Sequence, residues 1–426
     1  TGTESLTFNE FGDKSTSIDE VEIKMFDENG KLVNKVKKKD IFKQADQSGL
    51  VGEGYYYLHT MKPASYPVTI EYNYQISFYG TLNYPDYNIV GFNESVQSSS
   101  FIAKVPISLD LRFKEHEIKL KPEISAEGTY KKYKWTVNNM PAIKYEPGSV
   151  RSDYYFPRII LAPNKFKIYN TTGEMTSWNA LGQWRQSLYN GLDELPAERK
   201  AFFANLVKDA PDERTKIELV YNYLQKNFRY VSIQLGIGGW KPFPAKFTDE
   251  KKYGDCKALS FYMYSVLKSL GIKSYVASIN AGSNMPPVDP GFPINAFNHL
   301  ILCVPQKHDS IWLECTSQTT DFNYLSNFTE NRNALLVTEN GGVLVPTPVS
   351  DPRKNSLVTF TNIYLDPSAF GRTTTKFFCN GEFRESMQEL SMAKIDDQKE
   401  AIVYAYGFKQ PDEFKFTKIA DQEFNL

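Results

Sequence analysis

Apolar and polar residues alternate along several segments of the first third of the chain. In the segment 68–78 every second residue is a valine, isoleucine, tyrosine or phenylalanine, and polar residues stand between them. The segment 105–113 repeats this period of two, which is typical of a strand with one buried face. Asn29-Gly30 lies between two further runs of this kind and predicts a tight hairpin. We therefore expect an antiparallel β domain, resembling a β-sandwich, over residues 1–170.

The hydrophobic period lengthens in the middle of the chain. Residues 177–192 and 196–207 show helical spacing, and a third helix is expected to begin after Asp209 and Pro211. The segment 228–235 is typical of a strand, and a loop rich in glycine and proline follows it. The middle of the chain thus combines helices with strands.

The most regular helical pattern begins at Cys256. Apolar residues repeat behind it with the spacing of one helix face, at Leu259, Met263, Val266, Leu267 and Leu270. Gly271 follows, at the position where many helices end in a left-handed residue. Strands are expected next at 274–279, 296–304 and 311–315. We expect residues 171–350 to form an α+β core in which a helix packs on an antiparallel sheet.

The last part of the chain begins with a strand pattern at 358–365 and continues with helical spacing over 383–406. We expect 351–426 to be a C-terminal β-rich segment that a longer chain could continue. Since the chain begins at Thr1, we also expect that any signal or lipid-anchor segment has been removed.

The charge balance and the cysteine content narrow the classes of function. Lys and Arg number 49 and Asp and Glu number 50, so the chain lacks the basic footprint of a nucleic-acid-binding protein. No apolar run approaches the roughly 20 residues of a membrane span. The four cysteines include no CxxC pair and show no spacing typical of a disulfide scaffold or a zinc site. We therefore expect no nucleic acid, no membrane span, and no metal or cofactor.

Cys256 is the candidate nucleophile because of its place at the start of a helix. A cysteine attacks as its thiolate, which the positive end of a helix and a neighbouring imidazolium both favour. Cys256 follows a Gly-Asp turn and opens the helix, so the helix supplies the first of these two effects. The same position directs the first free backbone N–H groups toward an oxyanion formed at a substrate carbonyl.

His299 is the best-placed histidine to supply the second effect. Two of the four histidines lie in the N-terminal β domain, and His308 lies in a polar turn. His299 lies on a predicted strand, and Glu314 follows on the next strand. Because side chains on paired antiparallel strands can be neighbours on one face, we expect Glu314 to orient the second ring nitrogen of His299.

The local sequences around these residues resemble the transglutaminase-like superfamily. The residues that carry the resemblance are Tyr253-Gly254-Asp255-Cys256-Lys257 opening a helix, Phe297-Asn298-His299 on a strand, Trp312-Leu313-Glu314 on the next strand, and the preceding segments 229–236 and 238–242. More narrowly, they resemble a bacterial subgroup with an N-terminal β module of unknown function and a C-terminal β module. The resemblance covers about 175–345 well and implies a papain-like core, in which the helix bearing cysteine packs on an antiparallel sheet.

The resemblance implies a cysteine protease or amidase with a catalytic triad. Cys256 would attack a peptide or amide carbonyl to form a thioester, His299 would act as the base, and Glu314 would orient His299. The substrate would be a peptide or protein, and the protein would be exported to the periplasm or cell envelope of a bacterium, with an envelope partner. Upstream Gln or Trp side chains stabilise the oxyanion in this class, which makes Gln234 and Trp240 candidates.

Three positions depart from the pattern of the superfamily. Glu314 stands where Asp is usual, Cys315 where Pro is usual, and Ala258 where an acidic residue is common. Two alternative functions therefore remain open, namely acyl transfer to an amine and a non-catalytic scaffold that binds a peptide, a glycan or a protein. Trp240 has the equal alternative of simply packing on the glycine-rich loop.

Overall fold

Antiparallel sheets occupy the part of the chain before the first α-helix. The computed structural model describes residues 6–46, 54–368, 370–407 and 411–426. The strands are β1 (Thr7–Gly12), β2 (Thr16–Phe26), β3 (Leu32–Lys37), β4 (Phe42–Ala45), β5 (Tyr55–Thr60), β6 (Thr69–Phe78), β7 (Tyr87–Asn88), β8 (Val96–Pro106), β9 (Leu111–His116), β10 (Glu123–Glu127), β11 (Tyr130–Met140), β12 (Arg158–Pro163), β13 (Lys165–Ile168) and β14 (Thr171–Glu174). Their orders in the sheets are β1-β5-β4, β3-β2-β6, β10-β11-β8, β7-β12-β9 and β13-β14.

The alternating patterns of the N-terminal part identify these strands with one exception. The predicted strand 68–78 is β6, and the predicted hairpin joins β2 to β3 with Gly30 at φ 76°. The segment 105–113 is not one strand, because β8 ends at Pro106 and β9 begins at Leu111. A turn separates them, closed by the bond from the Leu109 N–H to the Pro106 carbonyl at 2.9 Å. Period-two alternation continues through such a short exposed turn, so the sequence pattern does not show the break.

The middle of the chain supplies five α-helices and a pair of very short strands. They are α1 (Trp178–Tyr189), α2 (Ala197–Leu206), α3 (Glu213–Asn227), β15 (Arg229–Tyr230), α4 (Ala245–Lys251), β16 (Tyr253–Gly254) and α5 (Cys256–Ser269). The predicted helices are confirmed as α1, α2, α3 and α5, and side chains at Ser177 and Asp212 cap α1 and α3. The predicted strand 228–235 is wrong beyond Tyr230, because its parallel partner β16 is cut short by the start of α5.

An antiparallel sheet of five strands follows the helices. Its strands are β17 (Tyr275–Ile279), β18 (His299–Pro305), β19 (Ser310–Leu313), β20 (Asn333–Thr338) and β21 (Gly341–Pro346), in the order β19-β18-β17-β20-β21. Helix α5 packs on β18, and helix α1 packs on β20 and β21. The approach of α1 requires glycine, since a Cβ on Gly182 would lie 2.1 Å from the Cα of Gly342. The sheet therefore carries both helices, one of which begins at Cys256.

Helix α5 is more deeply buried than its sequence pattern predicts. Four of the five apolar residues on the predicted face are buried, and Leu270 at the end is half-buried. Nearly all residues from Cys256 to Leu267 are buried as well, including polar ones such as Ser260 and Ser265. The hydroxyl of Ser260 donates to the Leu300 carbonyl of β18 at 3.0 Å. Helix α5 is thus a central helix enclosed on all sides, and not an amphipathic surface helix.

The C-terminal segment combines a four-stranded sheet with two helices. These elements are β22 (Ser356–Leu365), β23 (Gly371–Asn380), α6 (Glu382–Met392), α7 (Ile395–Tyr406), β24 (Thr417–Ala420) and β25 (Glu423–Asn425), and the sheet order is β22-β23-β25-β24. The predicted helical stretch 383–406 is interrupted at Ala393 and Lys394, which are extended. The side-chain amide of Gln398 donates to the carbonyls of Ser391 and Ala393. These two carbonyls at the interruption are therefore hydrogen-bonded.

The N-terminal strands contact the loop that leads to β18. The guanidinium of Arg112 in β9 donates to the carbonyls of Pro163 and Pro293, each at 2.9 Å. Lys114 forms an ion pair with Asp289 of the same loop. No helix in the described part of the chain is long and apolar enough to cross a membrane.

Candidate active site

The turn before α5 fixes the position of Cys256. A Cβ on Gly254 would lie 2.5 Å from the methyl group of Ala258, so this position requires glycine. Asp255 is the N-cap residue, and its carboxylate accepts the N–H of Ala258 at 3.0 Å. Cys256 is then the first residue of the helix, where backbone N–H groups have no partner inside the helix. Ala258, one of the departures from the superfamily pattern, is buried directly against this turn.

A buried ion pair stands next to Cys256. The ammonium of Lys257 lies 2.5 Å from the second carboxylate oxygen of Asp255, and both side chains are 3 % exposed. The carboxylate of Asp255 therefore has two functions, as a helix cap and as the counter-charge of Lys257. The sequence motif contains both residues, but a basic residue after a helix start does not by itself indicate a buried pair.

The structure brings His299 and Glu314 together. Nε2 of His299 lies 3.0 and 3.1 Å from the two carboxylate oxygens of Glu314, and both residues are buried. His299 is the first residue of β18, paired with Ile279 of β17. Glu314 lies one residue beyond the end of β19 at Leu313, and not on the strand as expected. The last paired residues of these strands are Leu302 and Leu313, so Glu314 reaches His299 from the turn that follows.

His299 and Glu314 form a charged pair. Burial disfavours the protonated ring, but the charge of Glu314 and hydrogen bonds with Cys256 and Glu314 outweigh burial and raise the pKa of His299. Burial likewise disfavours the ionised carboxyl of Glu314. The charge of His299 and the hydrogen bonds that Glu314 accepts from His299 and Thr316 outweigh burial and lower the pKa of Glu314. Since Nε2 faces Glu314, Nδ1 is the nitrogen left for Cys256. Cys256 is 5 % exposed.

One neighbour in sequence and one distant residue hold Glu314 in place. The Thr316 hydroxyl and N–H donate to one carboxylate oxygen of Glu314, at 2.6 and 3.2 Å. The Tyr221 hydroxyl of α3 lies 3.0 Å from the backbone carbonyls of both Glu314 and Thr320. The sequence gives no signal for Tyr221, because its partners lie more than ninety residues along the chain. These contacts supply the orientation that a third catalytic residue requires.

Two further contacts hold His299 from the strand side. The side-chain amide of Asn298 bonds to both the N–H and the carbonyl of Ala281, at 2.7 and 2.9 Å. This contact adds one more rung to the β17–β18 ladder. The ring of Phe328, in the loop before β20, meets the imidazole edge to face with centroids 5.4 Å apart. Arg332 joins this loop to the loop after β17, since its guanidinium donates to the carbonyl of Asn327 and to those of Gly282 and Met285.

Arg185 and Tyr189 of α1 are the site residues that sequence reasoning missed. Both are buried, and burial lowers the pKa of Arg185 and raises that of Tyr189. Their interaction with each other opposes both shifts, and Cys256 adds a smaller effect on each pKa. Their signal was present in the sequence, since Arg185 lies one turn from Leu181 on the apolar face of a predicted helix. A charged residue on the apolar face of a predicted helix indicates that its charge will be buried. Tyr230 at the end of β15 also interacts with Cys256, and it is half-exposed.

The two oxyanion candidates lie upstream of α5. Gln234 is exposed in the segment after β15, and Trp240 is half-buried at the end of a single turn of 3₁₀ helix over Gly236–Gly239. The indole of Trp240 packs against Tyr169, with ring centroids 6.3 Å apart. In the described residues neither side chain hydrogen-bonds to Cys256, His299 or Glu314. Their role as oxyanion donors stays a prediction.

The remaining cysteines are buried and differ in surroundings from Cys256. Burial raises the pKa of the Cys303 thiol to about 11 and raises that of Cys315 still further. Burial also raises the pKa of the Cys379 thiol. These three thiols are therefore protonated at neutral pH. Within the described ranges no three His, Cys, Asp or Glu residues are grouped to hold a metal ion.

Known proteins share parts of this chain at low sequence identity. The family described as a domain of unknown function with a solved structure, DUF3857, matches residues 5–144, and no curated protein matches the chain. A candidate protease from Parabacteroides distasonis is similar at TM-score 0.59 and 13 % identity, over 86 % of this chain and 71 % of that chain. A candidate cysteine protease from Cytophaga hutchinsonii covers 99 % of both chains at 9 % identity, but its TM-score of 0.26 carries no argument. At these identities, the first structure shows a shared fold and nothing finer.

Proposed function

We propose that this chain is a cysteine hydrolase that cleaves a peptide or amide bond through a thioester. The observation that carries the proposal is the arrangement at the start of α5. Cys256 interacts with one side of the His299 ring, while Glu314 holds Nε2 on the other side at 3.0 Å. A nucleophile, a base and an orienting acceptor in this order are what acyl transfer requires. The fold shared with a candidate protease supports the same class.

The first half of the reaction forms the acyl-enzyme. The thiolate of Cys256 attacks the carbonyl carbon, and the carbon–sulfur bond forms as the carbonyl oxygen becomes an oxyanion. Free N–H groups of the first turn of α5 stabilise this oxyanion, aided by Gln234 or Trp240. The carbon–nitrogen bond then breaks, and the leaving amine takes the proton of the His299 imidazolium. A thioester on Cys256 and a neutral His299 result.

The second half of the reaction returns the enzyme to its starting state. His299 takes a proton from water, and the resulting hydroxide attacks the thioester carbonyl. The carbon–sulfur bond breaks, which releases the carboxylic acid and restores the thiolate beside the imidazolium. Glu314 keeps its negative charge throughout and stabilises the imidazolium twice in each cycle. An amine in place of water would give acyl transfer by the same residues.

The proposal includes the papain-like, transglutaminase-like arrangement of the core. It is supported by helix α5, which begins with Cys256 and packs on the antiparallel strand that begins with His299. The exported, envelope-associated location expected from the sequence stays a prediction.

The test is selective labelling of Cys256 followed by trapping of the thioester. A thiol-directed probe at pH 6 should label Cys256 in wild type and in the Cys303→Ala and Cys315→Ala variants, and should fail in Cys256→Ala. A panel of peptides should then give a mass increase on Cys256 that hydroxylamine removes. Equal labelling of Cys256→Ala would refute the assignment. A reactive Cys256 whose thioester yields only amine adducts would favour acyl transfer, and an unreactive Cys256 would favour a binding scaffold.

A further inference from the structure

Phe328 is an exposed aromatic side chain that contacts the buried His299. Its ring centroid lies 5.4 Å from that of the imidazole, and the two rings meet edge to face. His299 is 8 % exposed, whereas Phe328 is 42 % exposed, so one phenyl ring touches both the imidazole and the solvent. Single exposed apolar residues are common on protein surfaces. The contact with His299 is therefore what distinguishes Phe328 from the others.

Hydrogen bonds from three elements hold the backbone that carries Phe328. The N–H of Gly282, in the loop after β17, donates to the Phe328 carbonyl at 2.8 Å. The guanidinium of Arg332, just before β20, donates to the Asn327 carbonyl at 2.6 Å. The N–H of Asn327 donates to the carboxylate of Glu382 in α6 at 3.1 Å. These bonds fix the position of the exposed ring beside His299.

The chemistry of the proposed reaction brings one part of the substrate next to this ring. The leaving amine takes its proton from His299, and proton transfer requires the amine nitrogen to lie about 3 Å from the imidazole. The Cα of the residue that carries this nitrogen lies only about 1.5 Å further away. The side chain of that residue therefore begins beside the imidazole. Phe328, with its centroid 5.4 Å from that of the imidazole, lies within contact range of such a side chain.

We propose that Phe328 is a specificity-determining residue, which forms an apolar subsite for the side chain on the amine side of the cleaved bond. The inference rests on the proposed function, because it names the class of peptide that the same site cleaves. The favoured peptides carry leucine, isoleucine, methionine or phenylalanine directly after the cleaved bond, since these side chains cover the exposed ring. The contact is lost when the amine leaves. Phe328 therefore affects formation of the thioester and not its hydrolysis.

The test is the cleavage profile of the full chain on a synthetic library of short peptides with randomised sequences, read by mass spectrometry. For wild type we expect large apolar residues directly after the cleaved bond to be favoured about tenfold over polar residues. Phe328→Ala should lose this preference, and Phe328→Leu should keep most of it, because leucine is also a large apolar residue. The residues before the cleaved bond should have the same distribution in all variants.

Two further variants and a second measurement serve as controls. Phe42→Ala is the matched control, since Phe42 is an exposed phenylalanine on β4 of the N-terminal sheets, and it should keep the wild-type profile. If Phe328→Ala fails to fold, Phe328→Gln makes the same comparison with a polar side chain. The rate of Cys256 alkylation by iodoacetamide reports on the nucleophile and the base alone, because this reagent has no leaving amine.

Each outcome decides between the two proposals. If wild type cleaves peptides without an apolar preference after the cleaved bond, or if the folded Ala or Gln variant at position 328 keeps that preference, the role of Phe328 is refuted and the proposed hydrolase stays intact. An equal loss of cleavage for all peptides refutes the role too, and slower alkylation would trace that loss to the position of His299. A wild type that cleaves no peptide of the library and forms no thioester on Cys256 overturns both proposals.

Discussion

The ion pair between Asp255 and Lys257, beside Cys256, allows a quantitative prediction of stability. Asp255→Ser keeps a side-chain oxygen that can accept the N–H of Ala258, so the helix cap survives. The variant leaves the ammonium of Lys257 buried at 3 % exposure without its counter-charge. Breaking a buried pair in this way costs about 3–5 kcal/mol. We expect the free energy of unfolding to fall by about that amount.

The double variant Asp255→Ser with Lys257→Met shows where this loss originates. Both charges are then gone, and replacing a buried pair by neutral groups is about neutral for stability. Stability should return to within about 1 kcal/mol of wild type, so the second substitution should recover at least about 2 kcal/mol of the loss caused by the first. Asp255→Ala with Lys257→Met should lie about 1 kcal/mol lower, because the cap is lost as well.

The assay is urea unfolding followed by tryptophan fluorescence, since four of the five tryptophans lie between residues 178 and 312. The free energies of unfolding are compared as differences between variants that are measured under the same conditions. If Asp255→Ser unfolds within 1 kcal/mol of wild type, the ammonium is reaching water and the buried-pair reasoning fails. If the double variant is as unstable as the single one, the loss comes from the turn and not from the charge.

Three further predictions follow from contacts around the site. Glu314→Gln removes the charge that favours protonated His299, so the midpoint of the His299 NMR titration should fall; an unchanged midpoint would count against the charged pair. Arg332→Met leaves three loop carbonyls without their hydrogen-bond donor. Limited proteolysis should therefore cut the segment 282–290 at least several-fold faster than in wild type. Equal rates would show that Arg332 does not hold this segment. Burial raises the pKa of Glu385 to about 7, above its ordinary value of 4.5, so folding favours the protonated form and stability falls as pH rises from 4.5 toward 7. Glu385→Gln should therefore raise the melting midpoint at pH 8 and leave it nearly unchanged at pH 5; the reverse dependence would contradict the stated sign.

Local sequence predicts the elements of the site better than it predicts their contacts. The start of α5 at Cys256 is visible because a glycine, a capping aspartate and a helical apolar pattern are contiguous. His299 and Glu314 are each identified from their own segments. The position of Glu314 beyond its strand is not visible, because strand ends depend on where the ladder partner stops.

The groups that hold the site come from distant parts of the chain. Tyr221 reaches the Glu314 carbonyl from α3, and Arg185 of α1 donates to Asn295 in the loop before His299. Both contacts depend on how helices pack on the sheet, which a single sequence does not specify. The strand predicted at 228–235 ends early because of its distant partner. Strand β15 pairs with β16, which ends where α5 begins, so the residues after Tyr230 have no strand to pair with.

The bond from Arg112 to Pro293 has a consequence for how this protein can be divided or recombined. In the loop before His299, the Pro293 carbonyl accepts a hydrogen bond from Arg112 of the N-terminal sheets, and Asp289 forms an ion pair with Lys114. A truncated protein that starts at α1 would lack both partners and leave the Pro293 carbonyl and the Asp289 carboxylate exposed to water. Exchange of the N-terminal part for that of a distant homologue would have the same effect, unless the arginine came with it. The N-terminal part therefore supports the loop that precedes His299, and we expect substitutions on the two sides of this contact to be coupled.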